Sequence, residues 1–123
     1  MPDQNPPIIA NGKICYVEIP SRDINESSSF YRKIFNWEIR TRGDGSVAFN
    51  DTTGQVSGTW KLLRPSHRDV GLLVYIMVDD IELTIQAIIE NGGKIVQPVG
   101  LDAPEITARF SDPSGNIFGI FQQ

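Results

Sequence analysis

The stretch Arg109-Phe110-Ser111-Asp112-Pro113-Ser114-Gly115-Asn116-Ile117-Phe118-Gly119-Ile120-Phe121 has an earlier copy in Ala48-Phe49-Asn50-Asp51-Thr52-Thr53-Gly54-Gln55-Val56-Ser57-Gly58. Phe49 matches Phe110, Asp51 matches Asp112, Gly54 matches Gly115 and Gly58 matches Gly119, all at an offset of 61. Each copy reads as strand, tight turn, strand. The Asp carboxylate suits the first turn position because it accepts local backbone N–H groups. Pro113 presets the next φ, and the Gly tolerates the left-handed backbone that returns the chain as a hairpin. Two copies are too few for a solenoid, so the repeat implies two halves of one pseudo-symmetric domain.

The rest of the chain repeats around these hairpins. The alternating run Ile14 to Ile19 puts Cys15, Val17 and Ile19 on one apolar face and Ile14, Tyr16 and Glu18 on a mixed one. Asp23 followed by Glu26 resembles a capping box and opens a helix running to about Asn36, with Phe30, Tyr31, Ile34, Phe35 and Trp37 as its core stripe. Glu38 to Thr41, Val47 to Asn50 and Gln55 to Leu63 read as three further strands. The second half has the same order: a strand at Leu72 to Val78, a helix capped by Asp79-Asp80 and closed by Asn91-Gly92-Gly93, then strands at Lys94 to Val99, Ile106 to Ser111 and Ile117 to Gln122. Asp80 corresponds to Asp23 at an offset of 57, against 61 at the hairpins. The second half therefore carries an insertion, placed at the longer loop Leu101 to Glu105.

These boundaries give an N-terminal arm (1–11) and one domain (12–123), made of module one (12–64), a polar linker (65–70) and module two (71–123). The linker's His67 is the single histidine and reads as a solvated side chain. A chain of 123 residues can bury a core without staples. The single Cys15 excludes an internal disulfide and a cysteine zinc cage, and reads as a small buried hydrophobe. The net charge of −4, with no Lys/Arg cluster, argues against a nucleic-acid surface. No secretion signal and no apolar run of membrane-spanning length stand out, which makes a cytoplasmic protein the expectation.

Two strand-helix-three-strand modules ending in Asp112-Pro113-Ser114-Gly115-Asn116 resemble the vicinal oxygen chelate superfamily, which includes glyoxalase I, bleomycin and fosfomycin resistance proteins, and extradiol dioxygenases. Val17-Glu18-Ile19-Pro20, Phe35-Asn36-Trp37, Val78-Asp79-Asp80-Ile81 and Asn91-Gly92-Gly93-Lys94 are similar to its glyoxalase-like branch. The resemblance implies an α+β fold of two βαβββ modules, forming paired half-barrels around a central cavity with helices outside. With strand parity it implies a cavity side holding Tyr16, Glu18, Trp60, Tyr75, Met77 and Phe121, with Arg109 as a candidate partner for Glu18. It also implies a metal site on the first and fourth strands of each module. The corresponding residues are Tyr16, Gly58, Leu73 and Gly119, a set too poor in donors, so no metal and no cofactor are expected.

The resulting expectation is a small-molecule-binding protein of the bleomycin-resistance type, with Tyr16, Trp60 and Tyr75 stacking on a partly aromatic or cationic ligand and Glu18 as its anionic anchor. The alternative is a glyoxalase-related enzyme, of lyase, isomerase or dioxygenase type, using Glu18 as base and Tyr16 as acid. A module that leaves its cavity unused is a third. A homodimer is implied by the resemblance.

Overall fold

A computed structural model describes residues 6–11, 13–66, 68 and 71–123. Part of the expected arm, Gly12 and the linker's His67 lie outside the described residues. The chain divides into two compact units at the Arg64–Pro65 junction.

The first unit runs β1 (Tyr16–Pro20), α1 (Ile24–Phe35), β2 (Glu38–Thr41), β3 (Val47–Asn50) and β4 (Ser57–Lys61). Its sheet has the order β1-β4-β3-β2, with β1 parallel to β4 and the other pairs antiparallel. Helix α1 begins where Asp23 is extended and its carboxylate accepts the Glu26 N–H at 3.0 Å. The reciprocal half of a capping box is replaced: Glu26 holds Arg22 at 2.7 Å, and the Asp23 N–H donates to Ser21 Oγ. Asn36 ends the helix in the left-handed region, φ 60, with its N–H on the Arg32 carbonyl. The aromatic stripe of α1 then meets the sheet. Tyr31 lies 4.7 Å from Trp37 between ring centroids, and Phe49 lies 4.5 Å from Trp37 and 4.8 Å from Trp60. Such pairs stabilise by about 0.5–1.5 kcal/mol each beyond their buried area.

The second unit repeats the order as β5 (Tyr75–Val78), α2 (Ile81–Glu90), β6 (Lys94–Gln97), β7 (Ile106–Ser111) and β8 (Ile117–Gln122), with sheet order β5-β8-β7-β6. Asp80 caps α2 by accepting the Leu83 N–H at 3.1 Å. At the other end Gly93 donates to Ile88 and Gly92 to Ile89, the paired bonds of a Schellman motif made possible by φ 93 at Gly92. The core beneath α2 is Ile81, Ile88, Ala108, Phe110, Phe118 and Ile120, all buried. The fold is thus α+β, with two βαβββ units. Each sheet is an open four-stranded sheet rather than a closed barrel.

Three expectations are corrected. The fifth strand starts at Tyr75, not Leu72, because the ladder with β8 runs only from Tyr75↔Gly119 to Val78↔Gln122, and Leu72 is left exposed. Cys15 precedes β1 and is exposed, so it is not a core residue. The third concerns the repeat. The Asp112 N–H closes its turn on Asn116 O at 2.8 Å, whereas the Asp51 N–H reaches one residue further, to Val56 O, at 2.8 Å. The first hairpin is one residue longer, so the offset of 61 holds only up to Gly54 and Gly115. Beyond the turn Gly58 pairs with Phe49 as Phe118 pairs with Phe110, and Thr59 pairs with Ala48 as Gly119 pairs with Arg109. The structural counterpart of Gly119 is therefore Thr59. A one-residue slip carries a side chain to the other face of a sheet. The insertion expected in the second half is present between β6 and β7, in residues 98–105 against 42–46, with a register irregularity between Ile95 and Gln97. No described helix is long and apolar enough to cross a membrane.

Candidate functional site

Each sheet has one face against its own helix and one turned away from it. In the second unit the helix-free face carries Tyr75 and Met77 from β5, Thr107 and Arg109 from β7, and Gly119 and Phe121 from β8. The register places Tyr75 beside Gly119, Gly119 beside Arg109, and Met77 and Thr107 on either side of Phe121. With Asp102 and Glu105 from the β6–β7 connection, all but Gly119 border a pocket of about 610 Å³, a size ordinary for small-molecule sites.

Gly119 shapes this pocket by lacking a side chain. A Cβ there would stand 2.6 Å from two carbons of the Tyr75 ring, so the ring lies over the bare β8 backbone. Tyr75 and Met77 remain 44% and 65% exposed, so the pocket presents apolar surface. The Nε of Arg109 is buried and has no hydrogen-bond partner, and Arg109 forms no ion pair with a described residue. Asp102, on the same pocket wall, is engaged instead with Thr107 Oγ1, which donates to it at 2.6 Å.

The equivalent face of the first unit carries Glu18, Pro20, Ala48, Thr59 and Lys61, and several of its polar groups engage neighbours. Arg64 pairs with Glu18 at 2.8 Å. Asn50 donates to Glu38 at 2.7 Å and Arg40 donates to Asn50 at 3.3 Å. Tyr16, two residues before Glu18, accepts from Arg42 at 2.8 Å, and the guanidinium carbon sits 5.8 Å from the ring centroid. That hydrogen bond raises the Arg42 pKa above its ordinary value. Nearby, the Ser46 hydroxyl and N–H donate to Asp44 and lower its pKa.

Of the residues expected at a ligand site, Tyr75, Met77, Arg109 and Phe121 are brought together in the second unit. Tyr16 and Glu18 stand on β1 of the first unit, and Glu18 is held by Arg64 rather than by Arg109. Trp60 is corrected: it is 2% exposed, pairs with Ile19, and packs its ring against Phe49 and Tyr31 on the helix side. It borders a different, more polar concavity of about 540 Å³ with Arg22, Arg42, Asp44 and Lys61. The metal positions are corrected as well. Strand pairing sets Glu18 beside Thr59 and Tyr75 beside Gly119, while Gly58 faces the helix side, where a Cβ would meet the Phe49 ring. Asp102, Glu105 and Thr107 were missed. Thr107 shares strand parity with Arg109, and the insertion marked the loop that supplies the other two.

A four-stranded sheet with one covering helix, doubled along the chain and leaving a pocket on a helix-free face, defines the paired βαβββ class. The Glyoxalase/Bleomycin resistance protein/Dioxygenase superfamily model matches residues 13–120, and the chain belongs to that superfamily. A glyoxylase-like domain-containing protein from Didymella fabae is 28% identical over 128 residues, spanning 92% of this chain and 95% of that one. TnmS3, an antibiotic binding protein from Streptomyces sp. CB03234, superposes with a TM-score of 0.69 at 19% identity, covering 94% of this chain and 98% of its own. The fosfomycin resistance protein FosX from Listeria monocytogenes superposes with a TM-score of 0.73 at 14% identity, covering 93% of each chain. At these identities the structural likeness speaks for the fold alone.

Proposed function

We propose that the protein binds a small planar organic molecule on the helix-free face of its second unit. The observation that carries this reading is the pocket lined by Tyr75, Met77 and Phe121 together with Arg109, whose buried Nε–H has no hydrogen-bond partner. A flat ligand would cover exposed apolar surface worth roughly 25 cal/mol per Å² and stack on rings that Gly119 allows to lie against the strand. On the equivalent face of the first unit Glu18 and Glu38 are already engaged, by Arg64 and by Asn50. That TnmS3 is described as an antibiotic binding protein agrees with a binding role in this fold.

The residues at the superfamily's metal positions do not fit a divalent cation. Glu18 supplies the one carboxylate and is ion-paired, Thr59 offers a hydroxyl that donates to the Val47 carbonyl at 2.6 Å, and a side chain at Gly119 would displace Tyr75. Nor do Glu18 and Tyr16 stand free as base and acid, since an arginine engages each.

Calorimetry and thermal shift with naphthalene-type probes test the reading. Phe121→Ala and Tyr75→Ala should each weaken binding about tenfold, the equivalent of about 1.4 kcal/mol. Trp60→Ala should leave the affinity of the folded protein unchanged. Failure of every aromatic probe to raise the melting temperature would end the proposal.

A further inference from the structure

Taking the second unit's pocket as a binding site, we infer that its ligand is an aromatic organic anion, read by Arg109 through a carboxylate or similar oxygen pair. The inference rests on the proposed binding role and adds the chemical class. A buried N–H without an acceptor costs free energy in the unliganded protein, and an acceptor arriving with the ligand removes that cost. Arg109 is well suited to supply it. Its Nε–H and an adjacent Nη–H form a planar fork that matches a carboxylate with two parallel bonds once the side chain turns the covered Nε edge toward the ligand.

The surrounding residues select the rest of the molecule. Tyr75 and Phe121 flank Arg109 across Gly119 and from the far strand position, so the oxygen pair would be attached to a ring. Asp102 and Glu105 border the same pocket without pairing with Arg109. Two carboxylates in the lining repel any anion, so a dianion such as phosphate, which gains nothing from the apolar wall, is disfavoured more than an aromatic monoanion. They also leave room for a hydroxyl or amine donor at the far end of the ligand. Arg109 is specific to this face: its counterpart across the repeat is Ala48, which cannot bind an anion.

The test compares 2-naphthoate, 2-naphthylmethanol and 2-naphthylmethylammonium with inorganic phosphate by calorimetry on the full chain. The expected result is that 2-naphthoate binds at least tenfold tighter than the alcohol, the ammonium weakest among the three, and phosphate below all of them. In Arg109→Met the preference of 2-naphthoate over the alcohol should vanish while the alcohol still binds. Arg109→Lys, which keeps the charge and loses the fork, should retain a third of the preference or less. Equal binding of the three naphthalenes, or preference for the ammonium, overturns the inference and leaves the binding site standing. Binding by none of the three overturns the site itself and this inference with it. The comparison of probes on the unaltered protein holds whether or not either variant folds.

Discussion

In the first unit the rings lie beneath the helix: Phe30, Tyr31, Phe35, Trp37, Phe49 and Trp60 form one stack, and the opposite face is a lattice of arginine, glutamate and asparagine bonds. In the second unit the helix rests on isoleucines and the Phe110–Phe118 pair, and rings stand on the opposite face, where Tyr75 and Phe121 flank an unbonded Arg109. The same strand order and the same aspartate caps therefore support two halves whose helix-free faces differ, one polar and one carrying rings. Among the described residues each unit buries one donor without an acceptor, Trp60 Nε1 and Arg109 Nε. Both residues border a concavity, Trp60 the more polar one of the first unit and Arg109 the apolar one of the second.

The sharpest way to break this comparison is at the two turns. Asp112 is 3% exposed and accepts from the Ser114 and Asn116 N–H groups and from the Asn116 side chain, at 2.9–3.0 Å. Asp51 serves a longer, half-buried turn with bonds of 3.0 and 3.2 Å to backbone N–H groups. Asp112→Ala should cost about 3 kcal/mol, because it strands buried donors, and Asp51→Ala about 1. Urea denaturation measures both, and equal losses would contradict the reading of the second turn as the more deeply built one.

The two strand glycines give the next largest difference. In Gly58→Ala the new Cβ would run into the Val17 carbonyl oxygen, a backbone atom that cannot step aside. This change should cost about 2 kcal/mol. In Gly119→Ala the obstacle is the Tyr75 ring, which is partly exposed and can swing away. The stability loss should be about 0.5 kcal/mol, but affinity for aromatic probes should fall with the displaced ring. Calorimetry on the same samples separates the two effects.

Much of this was legible before any coordinates. The doubled strand-helix-three-strand order, both aspartate caps and the Asn91-Gly92-Gly93 stop follow from local chemistry and period. Tyr75, Met77 and Phe121 follow only from the family resemblance combined with strand parity, and Arg109 enters only as a candidate partner for Glu18. What failed was carried by a single residue of turn length. The aligned copies share Asp and Gly at constant spacing, so nothing in their letters reveals that Asp51 closes on Val56 while Asp112 closes on Asn116. That slip reverses the facing of Gly58 and Trp60. Nor does a sequence show which arginine reaches which acid: Arg64, a loop residue, takes Glu18 and leaves Arg109 to the other unit's pocket.

The smallest expected effect is electrostatic. Asp44 titrates below its unfolded value because Ser46 donates to its carboxylate. Its contribution to stability is therefore present above the ordinary aspartate range and is lost as pH falls through the lowered value. Ser46→Ala should return the Asp44 titration toward the ordinary value in a carboxyl-resolved NMR series, with no change in probe binding. An altered affinity would tie the first unit to the ligand site.

The central claim, that the second unit's helix-free face is where a ligand sits, is tested most directly by NMR titration of the full chain with 2-naphthoate. The largest shifts should fall on Tyr75, Met77, Thr107, Gly119 and Phe121 and on the Arg109 Nε–H, which should move downfield as it gains an acceptor. Shifts concentrated instead on Glu18, Ala48, Thr59 and Lys61, with β5, β7 and β8 silent, would contradict it.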